Sequence, residues 1–287
     1  MIYVSSSCIK TNCLEKAVRT LVAEGFHNIE LSGGTKYDDN ILAQLMDLKQ
    51  ELNINFLLHN YFPTPKQAFV LNLASLDDKT SDLSLENIKE SIDWSIALGA
   101  NKFAFHAGFL LNIPLEQIGK KIEKIELFKE RDSYNKFAEN LKKIVEYNNN
   151  RIDLYIENNV LSNLNYTSFD KVNPFFFTNN ETLEKIDLLN HYKILLDVAH
   201  LKVSCNSLSL NFEKELQQLF LQTDYIHVSD NNGLVDSNEG LVEDSSLYDS
   251  LKKVWKTEKT VTIEVYSGMD NIKRTYRLLE KINTKND

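Results

Sequence analysis

Apolar positions in this chain alternate between two periods. Short runs rich in β-branched and aromatic residues, each closing on a polar side chain, span Ile2 to Ser7, Asn28 to Ser32, Asn55 to Asn60, Lys102 to Ala107, Asp153 to Asn158, Lys193 to Val198, Asp224 to Ser229 and Thr260 to Val265. They predict eight strands. Stretches of helical period lie between them, among them CLEKAVRTLVAEG, NILAQLMDLKQEL, FAENLKKIVEY, ETLEKIDLLN and NIKRTYRLLEKI, and Ser84 is expected to cap the helix that ends near Gly99. Strict strand and helix alternation implies parallel strands joined by crossovers. Eight such units predict an α/β fold, a single (β/α)8 TIM barrel domain over residues 1–287. The competing doubly wound sheet would need a glycine-rich turn after its first strand, and SSSCIKTNC contains no glycine.

Composition narrows the function classes. With 32 basic and 41 acidic residues the net charge is −9, and no basic stripe is visible. Nucleic acid is therefore not an expected partner, because its binding draws on Lys and Arg at phosphates. Three scattered cysteines, Cys8, Cys13 and Cys205, make neither a disulfide framework nor a thiolate cage. No leader and no membrane-length apolar run is apparent, so a reducing, cytoplasmic location is expected.

Barrel chemistry gathers at the C-terminal ends of the strands. Glu30, His59, His106, Glu157, Asp197, His227 and Glu264 close runs two to eight in order. His200 and Asp236 follow in adjoining loops, while His27 and His191 fall on the opposite side. Parallel strands are otherwise apolar, and charge beside such a core persists when paired or bound to metal. A divalent-metal site is the economical reading. Glu157, Asp197, His227 and Glu264 form an oxygen-rich set with one imidazole, suited to Mn, Mg, Co or Zn. One ion is expected, and a second has room at His59 and His106. Glu30 reads either as a substrate contact or as half of an ion pair.

IELSGG, LLHNYFP, FAFHAGF, YIENN, LLDVAH, YIHVSDNNG and TIEVYSG, in this order, resemble the xylose isomerase-like superfamily of barrels. The resemblance spans nearly the whole chain. It implies a sugar or sugar-phosphate isomerase or epimerase in which Glu157, Asp197, His227 and Glu264 hold the metal and His200 contacts substrate. Glu157 and Glu264 would be the catalytic pair, moving a proton through a metal-stabilised enediolate. The superfamily's endonuclease-four branch supplies the alternative, a zinc-dependent phosphoester hydrolase. There His59, His106 and Glu157 would hold one zinc, and His200 and Asp236 would belong to another, but the histidine expected two residues after Asp236 is Asn238. A carbohydrate-binding barrel without turnover is a third class.

Arg19, Arg131, Arg151, Arg274 and Arg277 all fall on helices or at the N-terminal side of the fifth strand, which favours a small carbohydrate substrate over a duplex. Lys36, Lys66 and Lys202 lie in mouth loops, with Lys66 or Lys36 a candidate phosphate anchor. Long segments after strands three, four and five are expected to form substrate walls. The Phe175, Phe176 and Phe177 run reads as core or as an exposed patch for a homo-oligomer. The abundant asparagine is ascribed to genome composition.

Overall fold

A computed structural model describes residues 1–186 and 191–283. Eight parallel strands pair in sequence order and close on themselves: β1 (Ile2–Ser5), β2 (Asn28–Leu31), β3 (Asn55–His59), β4 (Lys102–His106), β5 (Asp153–Glu157), β6 (Tyr192–Asp197), β7 (Tyr225–Val228) and β8 (Thr260–Ile263). All eight predicted strands are present. The register Val4 with Ile263 joins the last strand to the first. The chain is thus a (β/α)8 TIM barrel.

Among the described residues the helices are α1 (Leu14–Ala23), α2 (Ile41–Leu52), α3 (Asp78–Ala97), α4 (Glu130–Asn148), α5 (Asn163–Ser168), α6 (Asn180–Glu184), α7 (Val198–Leu208), α8 (Phe212–Gln222), α9 (Ser246–Val254) and α10 (Met269–Asn283). Two local expectations fail. Asp77, not Ser84, caps α3: its carboxylate accepts from the Thr80 amide at 2.8 Å, while Ser84 sits about two turns inside and donates to the Thr80 carbonyl. The ETLEKIDLLN helix is observed as the short α6, and residues 187–190 of that expectation lie outside the described residues.

Because strand side chains alternate, each strand sends every second residue inward. On β5 this stacks Asp153, Tyr155 and Glu157 inside, while Leu154 and Ile156 are buried outward among the helices. At the floor, Tyr155 Oη donates to Asp224 at 2.7 Å and Lys193 reaches Asp153 at 2.7 Å. Acidic and basic ends offset each other there, and no cation is needed.

The long loops after β4 and β5 fasten to each other above the barrel. Phe109 bridges Phe175 in antiparallel fashion, the Leu110 amide donates to the Pro174 carbonyl at 2.7 Å and the Phe176 amide to Gly108 at 3.0 Å. Phe175, Phe176 and Phe177 are all buried, which removes the exposed-patch reading. Val70, Phe109, Leu111, Ile122, Leu161, Phe169 and Phe175 form a second apolar cluster between the loops. Buried asparagines brace the same region. Asn72 donates to the Phe109 and Leu111 carbonyls and accepts from the Ala74 and Phe109 amides, and Asn159 donates to the Ala107 and Phe176 carbonyls. An amide side chain carries both donors and an acceptor, so it can replace missing strand partners. These asparagines have a structural cause, which composition alone does not supply.

Candidate metal centre at the barrel mouth

Glu30, His59, Glu157, Asp197, His200, His227 and Glu264 are all buried, and His106 is nearly so. Their strands bring them to one end of the barrel. Glu157 is the hub. Its Oε2 lies 2.6 Å from His59 Nε2 and 3.2 Å from His106 Nδ1, and its Oε1 lies 3.5 Å from His227 Nδ1 and 3.6 Å from His200 Nδ1. His227 Nδ1 is also 3.6 Å from Glu264 Oε2.

Two tautomers follow from the surrounding partners. His227 Nε2 faces the two oxygens of Glu30 at 3.1 and 3.3 Å, so this nitrogen keeps its proton, and Nδ1, turned to Glu157 and Glu264, is the one that gives up its proton to become a ligand. Glu30 is fully buried beneath the ring, where it also accepts from Thr262 Oγ1 at 3.0 Å, and Thr262 meets Tyr225 Oη at 3.2 Å. Of the two readings of Glu30, the packing favours the ion pair. His200 Nδ1 lies 2.9 Å from the Asn158 carbonyl and must donate to it, so Nε2, before Asp236 Oδ2 at 3.3 Å and Asp197 Oδ2 at 3.8 Å, is the nitrogen whose proton can be given up. Asn158 is a residue the sequence reading passed over. Its side chain also bonds the Asp197 amide and carbonyl, tying β5 to β6.

The donor set fits a cation. Glu157 Oε1, His106 Nδ1 and His227 Nδ1 are buried with no hydrogen-bond partner, a costly state unless something positive sits among them. The triads His59, Glu157, His227; His106, Glu157, His200; and Glu30, His227, Glu264 each hold their ligand atoms within 4.8 Å. Metal bonds of about 2.1 Å place ligand atoms about 3 to 4 Å apart, which matches the separations of His227 Nδ1 from Glu157 and from Glu264, although no triad holds both Glu157 and Glu264. Asp197 falls outside these triads. One of its oxygens accepts from the His200 amide at 2.8 Å, capping α7, a helix absent from the sequence expectations.

The electrostatics agree. Burial works against charge throughout, so neighbours decide each group. Burial and the repulsion of Asp236 and Glu157 push the Asp197 carboxyl up to about 7, against the pull of His200 and His227. Burial pushes His106 down to about 4 despite Glu157. For His227 the burial penalty is outweighed by Glu30 and Glu264, and for His200 by Asp197 and Asp236, so both rings are held well above the usual imidazole range. Burial would likewise raise Glu264, but His227 brings it down to about 2. Carboxylates outnumber imidazoles that can be charged, and a divalent ion removes the excess.

Not every expected residue joins the cluster. Lys66 is exposed and lies over the Tyr37 ring at 5.8 Å, and Lys36 is exposed as well. Lys202 is engaged by Asp230 at 2.6 Å. Asn238, oriented to donate, places its amide 3.0 and 3.1 Å from the Asp236 oxygens, so it holds that carboxylate by hydrogen bonds.

The family model for the xylose isomerase-like TIM barrel matches residues 18–282. The chain belongs to this family. Solved structures with different printed activities share its architecture. A D-tagatose 3-epimerase-like protein superposes with a TM-score of 0.73 at 18% identity, covering 99% of this chain and 98% of that one. Endonuclease IV from Thermus thermophilus gives 0.61 at 13%, covering 98% and 99%. An L-ribulose 3-epimerase gives 0.63 at 15%, covering 96% and 86%. At such identities the likeness concerns the fold. No curated protein matches the chain in sequence.

Proposed function

We propose that this barrel, folding as one domain, is a divalent-metal-dependent isomerase or epimerase of a sugar or sugar phosphate. One observation carries the reading: Glu157 and Glu264, from strands β5 and β8 on different sides of the mouth, converge on His227 Nδ1 at 3.5 and 3.6 Å. A bound cation would polarise a substrate carbonyl and acidify the neighbouring C–H. Glu264, ionised down to about pH 2, is positioned to take that proton, and Glu157 to return one from the other face. His200 Nε2, with Asp236 and Asn238 behind it, would hold a substrate hydroxyl. Asp197 and His227 would serve the metal alone. The epimerases among the structural neighbours support the reading. So do Arg19 and Arg151, which are engaged by Glu51 and Asp93 on the helical surface and not at the mouth.

The triad of His106, Glu157 and His200 favours a second reading, a hydrolase with two ions sharing Glu157. Deuterium exchange separates the two. Metal-loaded protein incubated with ketoses in D2O is expected to place deuterium on carbon, and Glu264→Gln to slow this by about 10²- to 10⁴-fold. No carbon-bound deuterium from any ketose, together with turnover of a phosphodiester, would establish hydrolysis instead.

A further inference from the structure

Among the described strands, β1 alone brings no carboxylate or imidazole to the mouth; it ends at Ser5, and Ser6 and Ser7 follow. Ser6 is committed to the fold, since its Oγ accepts from the Ser32 amide at 3.0 Å. The other two begin a chain of hydroxyls. Ser5, fully buried, lies 2.7 Å from Ser7 Oγ, and Ser7 Oγ donates to Tyr266 Oη at 3.2 Å. Each hydroxyl has one proton. Ser7 commits its proton to Tyr266, so Ser5 must donate to Ser7, and the Tyr266 proton remains for an acceptor outside the chain. Tyr266 is two residues beyond Glu264, with its backbone amide held by the Asn238 carbonyl at 2.8 Å. It is partly exposed, as is Ser7, whereas Ser5 is not. The chain therefore runs from the barrel interior to the mouth.

This wall differs in kind from the rest. Around the other strand ends stand carboxylates and imidazoles, which suit a cation; here stand neutral hydroxyls, which suit other hydroxyls. A polarised chain of O–H groups strengthens its terminal donor. A phenol hydroxyl carries one proton it can donate, and here that proton is not taken up by Ser7. We propose that Tyr266 contacts the substrate, donating to a hydroxyl oxygen of a polyhydroxy compound, and that Ser5 and Ser7 are positioning residues that aim and polarise it. The proposal rests on the reading of this mouth as a sugar site, and it assigns to the β8 and β1 side the choice among sugars.

The test uses xylitol and sorbitol, which cannot react, titrated calorimetrically into Mn²⁺-loaded full-length protein. Wild type is expected to bind at least one polyol. Tyr266→Phe should weaken that binding about tenfold and Ser7→Ala about threefold, with Mn²⁺ affinity unchanged in both. Ser7→Thr, which keeps the hydroxyl, should recover wild-type affinity. Equal polyol binding by wild type and Tyr266→Phe overturns the hydroxyl chain while leaving the sugar reading standing. If wild type binds neither polyol and exchanges no ketose proton, both are overturned together. A parallel loss of Mn²⁺ affinity in Tyr266→Phe would overturn the proposal too, showing a role in the metal wall.

Discussion

Substituting Glu30 by Gln removes a charge beneath His227 and changes almost nothing in shape. The glutamine oxygen can still accept from His227 Nε2, so the ring is expected to stay in place. What is lost is the anion that makes Nδ1 a stronger ligand, because a carboxylate behind an imidazole increases its basicity. Outer partners of this kind contribute about 10- to 100-fold in metal affinity, or about 1.4 to 2.8 kcal/mol. Calorimetric titration of chelator-stripped protein with Co²⁺ should show a loss in that range. Glu30→Ala goes further. It strands the buried His227 N–H, at about 1 to 3 kcal/mol, while Thr262 can turn its hydroxyl to Tyr225, so metal-free stability should fall as well as affinity. The two variants thus separate tuning from support. The reasoning is refuted if Glu30→Gln binds Co²⁺ as wild type does, or if nitrogen NMR of the Zn²⁺-loaded protein finds the His227 proton on Nδ1.

Metal uptake should depend on pH with a definite sign. Asp197 near 7, with His200 and His227 held above the usual imidazole range, means protons must leave before the ligands are free, so Co²⁺ affinity is expected to rise from about pH 6 to 8 with measurable proton release. These same groups have folded values above their unfolded ones, so they stabilise the metal-free fold below neutrality and lose that contribution as pH rises. Thermal melting of stripped protein should therefore decline over this interval, and a flat or rising profile would contradict the assignment. Asn72→Ala leaves buried amides and carbonyls of two loops unpaired and should destabilise by about 3 kcal/mol in chemical denaturation.

The strands were legible because each apolar run is short and closed by a polar residue, and in a barrel that closing residue must face the mouth. That logic placed Glu157, His227 and Glu264 together from spacing alone. It placed Asp197 at the end of β6 as well but missed the helix that starts there. Asp197 ends β6 and caps α7 with no connecting loop, so the helix begins inside what reads as strand punctuation. It was silent for the serines that close the β1 run, which carry no charge and gain a partner only when Tyr266 is brought beside them from the far end of the chain. The pairing of the β4 and β5 loops leaves no local period at all, since each loop finds its partner across the barrel mouth and not within itself.

That pairing has a consequence for how such a barrel can change. Loops on separate strands are ordinarily free to lengthen, shorten or be replaced one at a time, which lets barrels acquire new substrates piecemeal. Here the Phe109 and Phe175 bridge and the asparagine brackets make two walls a single inherited unit. A deletion in one strands hydrogen-bonding groups in the other. Diversification on this side would have to proceed by matched changes in both loops.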